Sequence, residues 1–75
     1  MEMRLCDLKP GETATVRALL HNGSMRCRLQ DIGLLPGYAV TCLWRSPQGD
    51  PTAYRIRQAV IALRREDSAA VLVSI

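Results

Sequence analysis

The chain has 75 residues, 48% of them apolar and 23% charged, which gives one small folded domain with a thin core and excludes both a two-domain enzyme and a disordered chain. Its formal net charge of +3 comes from ten basic and seven acidic side chains, nine of the ten basic ones being arginine. That bias is mild and the aromatics are few (Tyr38, Trp44 and Tyr54), so no nucleic-acid platform is expected.

In chain order, Leu5 and Leu8 lead into Lys9-Pro10-Gly11-Glu12, a turn in which proline presets φ and glycine accepts a positive φ. Residues 13–19 then alternate Ala14, Val16 and Ala18 against Thr13, Thr15 and Arg17, the period of a half-buried strand. His21-Asn22-Gly23-Ser24 breaks it. Met25, Leu29 and Ile32 follow at i, i+4 and i+7, which predicts a short helix over 25–32 with Ser24 as its N-cap and Gly33 as its left-handed terminator. Leu34-Leu35-Pro36-Gly37 is a second Pro-Gly turn.

Residues 38–45 are rich in strand formers, with apolar side chains on both faces, as in a tightly curled barrel. Ser46-Pro47-Gln48-Gly49-Asp50-Pro51 is expected as an exposed loop and 52–57 as the next strand. The apolar run Val60-Ile61-Ala62-Leu63 is expected as a buried strand. A helical turn near 65–70 and a terminal strand through Val71, Val73 and Ile75 close the chain. The fold class is therefore mainly β, an SH3-like barrel of about five strands filling a single domain over 1–75.

Chemistry-bearing groups are sparse. There is no phosphate-binding loop, GxGxxG, HExxH or GxSxG motif. His21 reads as an exposed turn histidine without an orienting carboxylate, and no catalytic residue is assigned. Cys6, Cys27 and Cys42 are odd in number and widely spaced, lack a CxxC pair and have no secretory leader before them, so reduced, partly buried thiols of a cytoplasmic protein are expected. Cys27 and Asp31 share a helical face, but close pairs making four ligands are missing, so neither a metal site nor a cofactor is assigned. No apolar run approaches the roughly 18–20 residues that span a bilayer, so no direct membrane insertion is expected.

Two places offer partner contacts. Leu34, Leu35 and Pro36 follow the helix in a turn whose backbone cannot bury all three, so they either form an exposed apolar corner or divide, with Leu34 completing the core. Arg64 and Arg65 stand where a strand leaves the core, able to reach a partner's carboxylate or phosphate, or else to pair with Glu66 or Asp67.

Taken together, Leu8-Lys9-Pro10-Gly11-Glu12, the run from Arg28 through Asp31-Ile32-Gly33 to Gly37, Ser46-Pro47-Gln48-Gly49-Asp50-Pro51, and Ile61-Ala62-Leu63-Arg64-Arg65 resemble, in order, the motifs of the FeoA family. The resemblance implies an SH3-like barrel acting as a cytoplasmic accessory of bacterial ferrous iron uptake. It would be a protein-protein interaction module on the FeoB membrane transporter and its GTPase region, and not an enzyme. The chain departs from the family at Gln58, near which glycine is often found, and its three cysteines lie outside the pattern. The alternative is a stand-alone SH3-like regulatory domain, since such modules also resemble the C-terminal domains of metal-dependent repressors.

Overall fold

The Lys9–Glu12 and Leu35–Tyr38 segments set the corners of the molecule. In the computed structural model, which describes residues 1–75, Glu12 N–H donates to Lys9 O at 3.0 Å and Tyr38 N–H to Leu35 O at 3.1 Å. Gly11 and Gly37 take φ values of 92° and 94°. Both are therefore turns with proline second and a positive-φ glycine third, the combination that type II geometry requires.

The chain forms six strands: β1 (Glu2–Arg4), β2 (Thr13–Leu19), β3 (Ala39–Arg45), β4 (Thr52–Ile56), β5 (Ala59–Leu63) and β6 (Val71–Ser74). They form one antiparallel sheet in the order β1-β6-β2-β3-β4-β5. The register shifts between Val16 and Ala18 in β2 and between Cys42 and Trp44 in β3. Such bulges bend a strand and sharpen its twist, which curls the sheet around a single core. Val16, Val40, Ile56, Val71 and Val73 have no exposed surface there.

The mainly β, barrel-like expectation holds, with four adjustments. The strand count is six rather than about five, because Glu2-Met3-Arg4 pairs with Ser74, Val73 and Leu72, and three residues are too few to show a period. The helix α1 spans Gly23–Asp31 with Asn22 at the N-cap and no side-chain cap bond, so Ser24 lies inside the first turn rather than capping it. Trp44 is 55% exposed, since the bulge at Leu43 interrupts the inward alternation of Val40 and Cys42. Finally, the run 60–63 is buried only in part: β5 is an edge strand bonded only to β4, and Leu63 enters the core while Val60 is 57% exposed.

The short helix α2 (Arg65–Ser68) occupies the expected helical turn, and Asp50 of the loop between β3 and β4 accepts its first N–H, from Arg65, at 2.9 Å. A carboxylate at this end of a helix satisfies an otherwise unpaired donor. None of the helices is long and apolar enough to cross a membrane.

Candidate functional site

Met25 and Leu29 of α1 and Ile32 at its C-cap stand opposite the open edge β5. A groove of about 370 Å³ lies between them, lined by these three, Arg28, Ile61, Ala62, Leu63 and Asp67. Leu29 and Leu63 are buried and join the core, Met25 and Ile61 are half-buried, and Ile32 and Ala62 are exposed. An open, mainly apolar trough with one charge of each sign is suited to the side chains of another polypeptide.

The end of α1 decides what the following corner presents. Gly33, at φ 109°, donates to Gln30 O at 3.0 Å, and Leu34 donates to Leu29 O at 3.0 Å. This pair of bonds is the Schellman arrangement, in which the residue after the glycine packs on the one three before the helix end. Leu34 and Leu29 accordingly both lie in the core. Of the two readings of this corner, the one with Leu34 completing the core holds, and Leu34 as an exposed docking residue is corrected, because Leu34 is 0% exposed. Leu35 is half-buried and Pro36 exposed.

Arg64 and Arg65 are both exposed. They follow β5 at its C-terminal end, whereas Gly33 lies against Ile56 and Arg57 at the turn that begins β5. Leu35 donates back to Gly33 O at 2.9 Å, so the Leu35–Pro36 corner is tied to that opposite end. The expected contact residues thus do not meet; they bracket the edge strand and its groove. Neither the groove nor the edge was foreseen, because an apolar run of five residues reads the same whether one or two neighbours pair with it.

A second, shallower recess of about 310 Å³ is lined by Tyr38, Ala39, Thr41, Arg55 and Arg57. The Arg57 guanidinium lies 5.1 Å from the centre of the Tyr38 ring, within cation–π range.

Cys6 is half-buried, Cys27 exposed and Cys42 buried, all three as free thiols. Burial pushes the Cys42 thiol above its ordinary value, against the lowering effect of Arg45, with Glu12 adding to the rise. No three His, Cys, Asp or Glu side chains come together as metal ligands. His21 corrects its expectation: it is half-buried, and both ring nitrogens are shielded and without a hydrogen-bond partner.

The FeoA domain family matches residues 3–75. The Fe(2+) transport protein A/Fe(2+) transporter FeoB fusion protein of Porphyromonas gingivalis is 34% identical over 73 residues, which are 97% of this chain and 9% of that protein. The chain therefore spans less than a tenth of this relative. The solution structure of the Chlorobium tepidum FeoA protein superposes with a TM-score of 0.92 at 32% identity, over 97% of this chain and 70% of the other. A zinc complex of Stenotrophomonas maltophilia FeoA, described as a procaryotic SH3 domain protein, gives a TM-score of 0.86 at 28% identity, covering 96% and 89% of the two chains. A manganese-dependent transcriptional repressor shares the fold over 99% of this chain and 37% of its own, with a TM-score of 0.85 at 21% identity.

Proposed function

Since the chain belongs to the FeoA family, we propose that it is a non-enzymatic accessory of bacterial ferrous iron uptake that docks on the cytosolic GTPase region of an FeoB-type transporter. The observation that carries this reading is the Porphyromonas gingivalis fusion, in which a domain like this one is joined to the transporter in a single polypeptide. Fusion keeps two domains at high effective concentration, which is useful when they work in contact.

The chain's own chemistry agrees with a binding role. Its largest concavity is an apolar trough, and the groups at either end of that trough are Leu35 and Pro36 on one side and Arg64 and Arg65 on the other. In this reading these four make the partner contacts, and the protein works in the cytoplasm, where the transporter's GTPase region lies. The likeness to the repressor supports the fold alone, so the regulatory-domain reading gains nothing beyond architecture.

The test is capture of the transporter's cytosolic region by this protein, together with GTP turnover of the full transporter with and without it. Capture should succeed and be weakened by Leu35→Asp or Arg64→Glu. If neither the isolated region nor the full transporter binds, the proposal fails.

A further inference from the structure

The two edges of the sheet are built differently. β1 is three residues long and carries the charges of Glu2 and Arg4, and the Arg4 guanidinium is engaged at 2.9 Å with Ala69 O. Short, charged edges discourage added strands. β5, by contrast, reads Ala-Val-Ile-Ala-Leu, with no charge and no proline, and its register with β4 runs unbroken from Ile56↔Ala59 to Thr52↔Leu63.

Which backbone groups point outward follows from the turn. Arg57 and Gln58 form a two-residue hairpin connection, so Ile56 and Ala59 are the hydrogen-bonded pair that closes it. Antiparallel alternation then bonds Ile61 and Leu63 to β4 and leaves the N–H and C=O of Val60 and Ala62 facing the open side. Four strong hydrogen-bonding groups stand in a row there, beside a trough already lined with apolar side chains.

Charge decides the occupant. Arg57 precedes the uncharged strand, Arg64 and Arg65 follow it, and all three are exposed. Pairing with a second copy about a two-fold axis at Ile61 would set Val60 against Ala62 and bring the Arg57 end of each copy beside the Arg64–Arg65 end of the other. Symmetry repeats that meeting at both ends, and like charges brought close repel. The groove itself carries one charge of each sign, Arg28 and Asp67, so the uncompensated positive charge stands at the ends of the strand, and acidic groups of an incoming strand belong there. We propose that β5 is an open docking edge to which a partner adds an antiparallel strand of about five uncharged, β-branched residues with a carboxylate at each end. This deepens the docking reading above and rests on it for the partner's identity.

The probe is a synthetic peptide alternating valine and threonine over five residues, with glutamate at both ends, added to the isotope-labelled full chain. The expected result is slowing of hydrogen exchange by about tenfold or more at the Val60 and Ala62 amides, with a lysine-ended peptide binding about tenfold more weakly. Ala62→Pro removes only an outward N–H, which an edge strand tolerates, and should abolish peptide binding while keeping the dispersed amide spectrum. If that variant does not fold, the exchange measurement on the unaltered chain decides. Unchanged exchange at Val60 and Ala62, or equal binding of the lysine-ended peptide, overturns the inference. So does protection of those amides by rising protein concentration alone, which would make a second copy the occupant. Transporter capture unaffected by Ala62→Pro would sink the edge while sparing the functional reading. Failure of capture by the unaltered chain would sink that reading, and the peptide result would stand by itself.

Discussion

The Arg45 guanidinium donates through Nη2 to the carbonyl oxygen of Leu8 at 2.6 Å and to that of Cys6 at 3.2 Å, tying the end of β3 to the one-turn helix at Leu5–Asp7. These contacts span 37 and 39 residues of sequence, so they hold together parts of the chain that local propensity cannot. Hydrogen bonds from charged donors stabilise more than neutral ones, roughly 1.5–3 kcal/mol each in buried settings, and the exposed side chain here lowers that figure.

Arg45→Met keeps the aliphatic stem and removes the donors. We expect it to cost about 1–2 kcal/mol in urea denaturation, with Arg45→Lys recovering less than half because an ammonium cannot match the planar fork. An unchanged midpoint for Arg45→Met would show that water replaces the guanidinium without loss.

Gly33 and Gly37 separate two costs that are usually merged. Both have positive φ, 109° and 94°. A Cβ at Gly33 would sit 3.0 Å from Ile56 Cγ2, whereas at Gly37 it would meet nothing within 4 Å. Gly37→Ala should therefore cost about 1–2 kcal/mol, the backbone strain alone. Gly33→Ala should cost at least about 1 kcal/mol more, because Ile56 is fully buried and has little room to yield. Equal losses in thermal or urea unfolding would contradict the packing part of this account.

Much of the fold was legible because local chemistry and global shape agree. The Pro-Gly turns, the alternation in β2 and the Gly33 terminus are each dictated within a few residues. What was not legible depends on pairing across the chain. β1 becomes a strand only because β6 lies beside it, and β5 is exposed only because nothing follows it in the sheet order. At the candidate site, the exposed Pro36 and the exposed arginines could be picked out in the sequence, but the groove between them could not. The signal that decides between the two readings of the corner is local: Leu29, Gly33 and Leu34 have the spacing of a Schellman cap with its apolar contact, which assigns Leu34 to the core. Arg57, which takes φ 58° in the hairpin turn, was invisible for the opposite reason, since a positive φ there is ordinarily read from glycine.

Leu34 and Leu35 give a direct separation of fold from docking. Leu34 is fully buried and Leu35 only partly. Leu34→Ala opens a cavity and should cost about 2–5 kcal/mol, a large share of the stability of so small a domain. Leu35→Ala should cost under about 1.5 kcal/mol, and Leu35→Asp should weaken transporter capture while leaving a folded spectrum. Comparable destabilisation by the two alanine substitutions would refute the assignment of Leu34 alone to the core.

Stability should fall on the alkaline side. Burial holds the Cys42 thiol above its ordinary value of 9.0 and the Tyr54 phenol above 10.0. Arg45 works against the first shift. The Tyr54 hydroxyl, buried at the centre of the core, reaches Leu5 O at 3.5 Å as a donor. In both groups the folded state keeps a proton that the unfolded chain releases first. Between the unfolded and folded values the native state therefore binds more protons, and stability declines as pH rises. The urea midpoint should be level up to about pH 8.5, decline as the unfolded thiol ionises, and decline more steeply above about pH 10. Cys42→Ala should remove the earlier part of the decline and Tyr54→Phe the later part, each measured against its own midpoint at pH 7. A level profile through about pH 10.5 in the unaltered protein would mean that neither group is held protonated by the core.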